Sequence, residues 1–306
     1  MVSNPTEMML LFLEKVYPLY LQESRLGIDA LNRVFHYLLD DEITLKNAQD
    51  QATVKKAKEA ISGINFDVKS MRKAFQLYIL KAFKDDQIIS PEMTPDAIGY
   101  FIHYLIQKLY PQIPPVIFDP LIGTGNLVAT IAEHYEDVSI VGVDLNDRLL
   151  ELARNYLDAL DIPHQLYHQD TLSFDERQFP LILTDFSIHR KDLKGPYQPY
   201  YVILHHLQHL EPGGYMIALI ENDFFAISPA ESFKELVMKE AHLYGLLKLD
   251  ESLFKNHPKS ILMLKKKRFT EEKIDRFLVA DIPSFTDQEA MSHTLHRLNT
   301  WFEKGS

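Results

Sequence analysis

Residues Val116–Leu127 read VIFDPLIGTGNL, and this stretch decides the fold class. A short apolar run ends at Asp119, a glycine-rich turn carries Gly123 and Gly125, and an apolar pattern with helical spacing follows. Glycines in such a turn let backbone N–H groups approach a ligand closely. A second apolar run ends at Asp144, whose carboxylate can accept hydrogen bonds from ribose hydroxyls. The unit therefore predicts a strand, a tight loop and a helix that bind a nucleoside.

Two common nucleotide-binding motifs do not fit this loop. A dinucleotide-binding loop needs a third glycine or alanine at the position of Val128, where helix and sheet touch. A phosphate-binding P-loop needs Gly-Lys followed by Ser or Thr, whereas Gly125 is followed by Asn126. A nicotinamide or flavin dinucleotide and a nucleoside triphosphate are therefore poor candidates for the ligand.

The pattern Asp-Pro-x-x-Gly-x-Gly-x-Leu at Asp119–Leu127 resembles the first motif of class I S-adenosylmethionine-dependent methyltransferases, in particular that of adenine-specific DNA methyltransferases. Glu92–Pro95 and Glu211–Gly214 resemble further segments of this family, and they occur in the same order. Leu249–Phe254 and the run Ser260–Leu264 resemble the corresponding end of type I restriction-modification methyltransferase subunits. The resemblance extends over about residues 91–268. It implies S-adenosyl-L-methionine as the cofactor and S-adenosyl-L-homocysteine as the product.

The fold that this resemblance implies is α/β, a Rossmann-like class I methyltransferase fold with a seven-stranded, mostly parallel sheet and helices on both faces. One further strand and a closing helix are predicted after Phe277. Apolar runs predict the other strands near 116–119, 139–143, 164–168, 180–184, 214–220, 243–249 and 260–266. Residues 4–89 have helical patterns, with a start signal at Asn4–Glu7 and an end signal at Ser62-Gly63. We therefore predict an N-terminal all-helical domain, residues 1–90, and an S-adenosylmethionine-binding methyltransferase domain, residues 91–306.

By resemblance, the cofactor-binding residues come from the loop, from the Thr-Pro segment before it and from the ends of the following strands. They are Thr94, Pro95, Asp119, Pro120, Gly123, Gly125, Asn126, Asp144, Leu145, Asp170, Thr171 and Asp185. In this assignment Asp144 holds the ribose and Asp170 lies near the adenine ring. Both carboxylates also suit a cap on the turn or helix that follows them. Thr94 is predicted to cap a helix whose first residue is Pro95.

The catalytic motif of adenine-specific enzymes is matched only at its first position. The family carries Asn, Asp or Ser, then Pro-Pro and an aromatic residue, where this chain has Asp185, Phe186, Ser187 and Ile188. In this resemblance Asp185 holds the acceptor amine. Phe186 and Ser187 lack the fixed backbone of proline, and Ile188 replaces the aromatic side chain that stacks on a flipped base. A nearby tyrosine can take over that stacking: Tyr197, Tyr200 or Tyr201.

The resemblance thus implies an S-adenosylmethionine-dependent N-methyltransferase of the site-specific DNA adenine type. Two alternatives stay open. One is a catalytically degenerate S-adenosylmethionine-binding regulatory or scaffold protein, since the catalytic motif is incomplete. The other is a methyltransferase that acts on RNA, protein or a small molecule.

Charge and composition narrow the expected partners and location. The formal net charge is −11, and residues 1–90 hold equal numbers of basic and acidic side chains, so the acidic excess lies in residues 91–306. An acidic domain binds duplex DNA poorly by itself. Contact with nucleic acid (DNA) is therefore expected through the N-terminal domain or a partner subunit. The absence of cysteine excludes a disulfide framework and a thiol nucleophile. No leader or membrane span is evident, which predicts a cytoplasmic protein.

Two groups of polar residues receive a structural interpretation. Lys69, Arg72 and Lys73 are interpreted as a solvated basic helix face. His205, His206 and His209 have near-helical spacing that is compatible with a metal, but no carboxylate pattern accompanies them. We interpret these histidines as a half-exposed helix face and expect no metal.

Overall fold

A computed structural model describes residues 4–87, 93–186, 198–227, 230–254, 257–269 and 276–304. Within these residues, the helices before the first strand are α1 (Pro5–Gln22), α2 (Gly27–Asp40), α3 (Ala48–Ile61), α4 (Val68–Asp85) and α5 (Asp96–Leu109). The remaining elements are β1 (Val116–Asp119), α6 (Asn126–Ala132), β2 (Ser139–Asp144), α7 (Asp147–Ala159), β3 (His164–His168), β4 (Phe179–Asp185), α8 (Gln198–Leu207), β5 (Leu210–Glu221), α9 (Ala230–Glu240), β6 (Ala241–Leu249), β7 (Lys259–Lys266), β8 (Leu278–Ile282) and α10 (Gln288–Glu303). Along the part of the chain described, no helix is both long and apolar enough to cross a bilayer.

The strands form one sheet in the order β3-β2-β1-β4-β5-β7-β6-β8. Strands β1, β4 and β5 run parallel, and β8 runs parallel to β6. Strand β7 runs antiparallel to both of its neighbours. The mostly parallel α/β fold is confirmed, and β8 is the predicted strand beyond the seven. The strand order reverses between β1 and β4, which is where open α/β sheets bind ligands at the carboxyl ends of their strands.

The strand boundaries lie close to the predicted apolar runs. Strands β1 and β3 begin and end at the predicted residues. The largest difference is in β5, which begins at Leu210 and not at residue 214. Leu210 pairs with Phe179 ahead of a register shift, so the Pro-Gly-Gly stretch lies inside the strand. Gly213 makes this possible with a φ of 85°, a conformation that favours glycine.

Contacts divide the chain into two compact units. The first consists of Met1–Met93, Ile122–Ser139 and Asp144–His168, and the second of Thr94–Leu121, Ile140–Val143 and Gln169–Ser306. The predicted division at residue 90 falls within residues 88–92, which lie outside the described residues. The two domains of residues 1–90 and 91–306 therefore stay a prediction.

The predicted start signal at Asn4–Glu7 and the predicted end signal at Ser62-Gly63 are both confirmed. The Asn4 side chain accepts a hydrogen bond from Thr6 N at 3.0 Å, and Pro5 is the first residue of α1. Proline suits this position because its missing N–H would have no partner there. Helix α3 ends at Ile61, directly before the Ser62-Gly63 pair.

In the first unit, the N-terminal helices pack against α6 and α7, which follow the glycine-rich loop and Asp144 in the sequence. Phe75 on α4 contacts Tyr156 on α7 edge to face, with ring centroids 6.3 Å apart. Asn155 Nδ2 on α7 donates a hydrogen bond to Asn32 Oδ1 on α2 at 3.2 Å. The helices that carry the loop are therefore supported by residues of the N-terminal segment.

A buried ion pair joins α4 to the end of α6. Arg72 Nε donates to Glu133 Oε2 at 2.5 Å, and both side chains are at most 1% exposed. The interpretation of Lys69, Arg72 and Lys73 as a solvated basic face is wrong for Arg72, because Glu133 lies 61 residues away in the sequence and no local pattern shows it.

We expect Arg72→Met to lower the free energy of unfolding by about 3–5 kcal/mol, since Glu133 would remain as a buried carboxylate without its guanidinium. Urea unfolding followed by circular dichroism measures this change. The double variant R72M/E133L should recover much of the loss, and Lys234→Met, in the exposed pair with Glu231, should change stability by less than about 1 kcal/mol. A loss for R72M as small as that of the control would contradict the prediction.

Candidate functional site

The loop between β1 and α6 turns through two glycines in the left-handed region. Gly123 has a φ of 52° and Gly125 a φ of 75°. A Cβ atom at Gly125 would lie 3.5 Å from Ala153 Cβ, an ordinary contact, so the backbone conformation and not lack of space requires glycine. Gly125 N donates to Ile122 O at 2.8 Å and closes the turn. Because neither glycine has a side chain, the backbone of the turn is not covered at these two positions.

Asp144, at the end of β2, holds this loop. Its Oδ2 atom accepts a hydrogen bond from Gly123 N at 2.9 Å, and its Oδ1 atom accepts one from Asn146 N at 2.8 Å. The Asn146 side chain in turn caps α7. Each carboxylate oxygen can accept further hydrogen bonds, so the bond to Gly123 leaves capacity for a ribose hydroxyl. Asp144 therefore holds the turn that follows it and keeps acceptor capacity for a ribose hydroxyl, so its two predicted roles do not exclude each other.

Two further predicted cofactor-binding residues lie next to this loop: Asn126 directly follows Gly125, and Leu145 directly follows Asp144. Asn126 is buried, and its Oδ1 atom accepts a hydrogen bond from the Tyr156 hydroxyl at 3.2 Å. The Leu145 side chain is 69% exposed. An exposed leucine beside a carboxylate with acceptor capacity suits contact with a flat apolar ring, because small-molecule sites combine apolar surface with a few polar groups. Asn126 instead ties the loop to α7.

Two predicted cofactor-binding carboxylates of the second unit, Asp119 and Asp170, each accept a backbone hydrogen bond from the turn that follows them. Asp119 is buried at the end of β1, and its Oδ1 atom accepts from Leu121 N at 3.0 Å, across the turn that starts at Pro120. Asp170 Oδ1 accepts from Leu172 N at 3.0 Å and caps a short 3-10 turn that begins at Thr171. The capping alternative thus holds for Asp170. Their contacts with the cofactor stay predictions.

Asp185, the first residue of the predicted catalytic motif, accepts hydrogen bonds from two side chains. Thr94 Oγ1 donates to Asp185 Oδ2 at 2.7 Å, and Lys259 Nζ donates to Asp185 Oδ1. The side chains of Lys259 and Asp185 are only 8% and 11% exposed. Both oxygens of the carboxylate predicted to hold the acceptor amine therefore already accept hydrogen bonds within the protein.

Two details of this set differ from the sequence analysis. The prediction of Thr94 as the N-cap is wrong: Pro95 is the N-cap of α5, and the Thr94 hydroxyl bonds Asp185. Lys259 was not predicted as part of the site. Its available signal was a lone lysine at the start of an apolar run, because a charged side chain in a buried strand requires a partner.

Phe186 continues the sheet beyond β4. Its side chain is 2% exposed, and its backbone N donates to Leu219 O at 3.0 Å. Ser187 and Ile188 lie outside the described residues. Among the tyrosines considered for base stacking, Tyr200 is buried and stacks on Phe233, whereas Tyr201 is 48% exposed. Tyr197 also lies outside the described residues.

The histidines that follow the site in sequence are not a half-exposed helix face. His206 is fully buried and His209 is 4% exposed, so the interpretation is wrong for both; His205 is half-buried. Thr171, predicted to contact cofactor, lies 2.7 Å from His206 Nε2 through its hydroxyl. Burial, and to a smaller extent the neighbouring His205 and His209, lower the pKa of His206 to about 2.

Comparisons with known proteins identify the family. A family model described as a methyltransferase domain matches residues 117–214. The chain is 32% identical over 284 residues to the Bacillus subtilis protein YtxK, itself described as uncharacterised, a match over 85% of this chain and 83% of that protein. It is 26% identical to a Listeria monocytogenes protein whose crystal structure is assigned to the class I S-adenosylmethionine-dependent methyltransferases, with a TM-score of 0.86 over 98% of this chain and 100% of that one.

The chain belongs to the class I S-adenosylmethionine-dependent methyltransferases. A type I restriction-modification methyltransferase subunit from Streptococcus thermophilus shares the fold of this methyltransferase, with 15% identity and a TM-score of 0.59 over 88% of this chain and 68% of that one. The cofactor of the present chain is S-adenosylmethionine. The residues fit that cofactor: left-handed glycines expose the loop backbone, and Asp144 keeps acceptor capacity beside an exposed Leu145. The role of each individual residue stays a prediction.

We expect Asp144→Asn to weaken S-adenosylmethionine binding by about 10- to 100-fold, because the amide would turn an NH₂ group toward one of two N–H donors and would lose the charge. A hydrogen bond to a charged group contributes about 1.5–3 kcal/mol, and 1.4 kcal/mol corresponds to tenfold in Kd. Titration calorimetry measures the Kd. Asp147→Asn, at an exposed position three residues further on, should leave it unchanged. Equal Kd values for D144N and the wild type would argue against this role for Asp144.

Proposed function

We propose that this methyltransferase transfers the methyl group to an exocyclic amine, as adenine-specific DNA N-methyltransferases do. The observation that carries the proposal is the Asp185 carboxylate at the carboxyl end of β4, which accepts a hydrogen bond from a nitrogen donor, Lys259 Nζ. An acceptor amine presents the same kind of N–H donor. Thr94 occupies the other carboxylate oxygen and fixes the orientation of the group.

In this proposal the residues of the chain contribute positioning. When bound, the cofactor supplies an electrophilic methyl group on a sulfonium. Asp185 Oδ1 holds one N–H of the acceptor, so that the nitrogen lone pair faces away from the carboxylate. Thr94 keeps Oδ2 in place, and half-buried surroundings limit competition by water. The rate gain would come from alignment and not from acid–base chemistry, because methyl transfer requires close and linear approach of the reacting atoms.

Lys259 favours a second candidate, a methyltransferase fold that binds S-adenosylmethionine without transferring the methyl group. Its ammonium occupies Asp185 Oδ1 and neutralises the carboxylate. An acceptor amine must displace that ammonium, and separating a buried ion pair is costly. Restoring the family prolines does not test this candidate, since proline at Phe186 would remove the hydrogen bond from its backbone N to Leu219 O. Substitution of Lys259 is the appropriate test.

The acceptor class is part of the proposal. In the N-terminal helices, Arg72 is paired with Glu133, and Lys58 contacts Asp41 and two backbone carbonyls, so these two cations are engaged internally. Lys55, Lys56 and Lys73 are exposed and remain candidates for phosphate contact. DNA is therefore proposed as the first acceptor to test, directly or through a partner subunit, with RNA, protein and small amines as the alternatives. A cytoplasmic location belongs to the same proposal.

We expect Asp185→Ala to reduce methyl transfer at least about 100-fold, because the acceptor amine loses its fixed partner. Transfer of labelled methyl groups to DNA, RNA, protein and small amines measures the activity. Asp185→Asn keeps a carbonyl acceptor and should retain more activity than D185A, and the exposed Glu251→Gln is the matched control. The Kd for S-adenosylmethionine is measured for all three, because Asp185 is also predicted to bind the cofactor and a lost cofactor contact must be separated from a lost contact with the acceptor amine. Transfer that survives in D185A would remove Asp185 from the proposed role.

Lys259→Met separates the two candidate functions. If the wild type transfers methyl groups and D185A does not, amine transfer is supported. If transfer appears in K259M while the wild type shows none, the natural chain is a binder whose acceptor position is filled by its own lysine. A thermal unfolding scan with and without S-adenosylmethionine verifies that each variant folds and still binds the cofactor.

A further inference from the structure

His205, His206 and His209 form a histidine cluster at the end of α8, ahead of β5. One ring nitrogen from each lies within 4.8 Å of the other two. The shortest separation, 3.2 Å, joins His206 Nδ1 to His209 Nδ1. Two nitrogens bound at about 2.0–2.1 Å to a tetrahedral zinc ion lie about 3.3 Å apart. Two of the three imidazoles are therefore already at the spacing of metal ligands.

The opposite ring nitrogens of His205 and His206 are each within hydrogen-bond distance of an oxygen atom. His205 Nε2 lies 2.9 Å from Phe174 O, and His206 Nε2 lies 2.7 Å from Thr171 Oγ1. His209 Nε2 lies 3.6 Å from Asp175 Oδ1. Histidine ligands of metals almost always donate their second N–H to a carbonyl, a hydroxyl or a carboxylate, which fixes the ring and presents the other nitrogen. The Phe174 carbonyl can only accept, so His205 Nδ1 carries a lone pair, which faces the Gln208 side-chain amide at 3.4 Å and would exchange that contact for the metal.

The histidine cluster is enclosed by the protein. His206 is fully buried and His209 is 4% exposed. Phe118 and Phe174 pack against His206, so the surroundings are apolar and a bound ion would compete with little water.

We propose that the histidine cluster binds one divalent transition-metal ion, with Zn²⁺ as the best fit. Three imidazole nitrogens supply the protein ligands, and a water molecule completes the tetrahedron. The half-buried His205 supplies the third nitrogen by a ring movement, since all three ligand nitrogens already lie within 4.8 Å of one another. This proposal replaces the expectation, based on residue spacing, that these histidines bind no metal.

The ion would have a structural role in the second unit. It would join the end of α8 to the segment Thr171–Asp175, whose side chains and carbonyls hold the far sides of the rings. The inference is independent of the proposed amine transfer, which rests on Asp185, Thr94 and Lys259.

The test uses the full chain without a histidine tag, stripped with a chelator and titrated with Zn²⁺ or Co²⁺ alone. We expect one equivalent of saturable Zn²⁺ binding by calorimetry, a Co²⁺ absorption spectrum typical of tetrahedral coordination, and a higher unfolding temperature with metal, since a ligand that binds only the folded state stabilises it. His205→Asn, at the half-buried position, should fold normally and bind at least about 10-fold more weakly, and His209→Asn should behave likewise.

His296→Asn, at an exposed position on α10, is the matched control and should bind like the wild type. Absence of saturable uptake by the wild type would overturn the proposal and leave the 3.2 Å contact as a hydrogen bond between two imidazoles. Uptake that is equal in the wild type, H205N and H209N would also overturn it, because the ion would then bind elsewhere.

Discussion

The hydrogen bond from Gly123 N to Asp144 Oδ2 is the contact on which the first unit's part of the site depends. It joins the turn after β1 to the end of β2, and both glycines of the turn adopt conformations that other residues avoid. The helices on either side, α6 and α7, are held by α2 and α4 through Asn32, Arg72 and Phe75. The N-terminal helices thus stabilise the loop geometry, whatever else they contact.

Asp185 shows a second constraint, which is electrostatic. A carboxylate that is 11% exposed needs partners, and Thr94 and Lys259 supply one for each oxygen. In a low-dielectric setting this pairing holds the group rigidly. The same pairing makes entry of an acceptor amine an exchange of one cationic or neutral N–H donor for another. Under the amine-transfer proposal, catalytic capacity at this position would therefore depend on competition between two nitrogens and not on the presence of the aspartate alone.

Local signals in the sequence predicted most of the fold and part of the site. Apolar runs located β1 and β3 to the residue, and the Asn4-Pro5 pair located the start of α1, because these features depend on neighbours within a turn or a strand. The sequence did not show that Thr94 bonds Asp185, that Lys259 does so from 74 residues away, or that Arg72 and His206 are buried. Such contacts are set by tertiary packing, and residue spacing carries no information about them.

The buried pair of Arg72 and Glu133 has a consequence for how this enzyme could be divided. The segment that matches the methyltransferase family model, residues 117–214, contains Glu133 but begins well after Arg72. A fragment trimmed to that segment would expose Tyr156 and Asn155 and strand a carboxylate in an apolar face. The minimal autonomous version of this protein must therefore carry its N-terminal helices, which makes them a poor point for domain exchange or truncation.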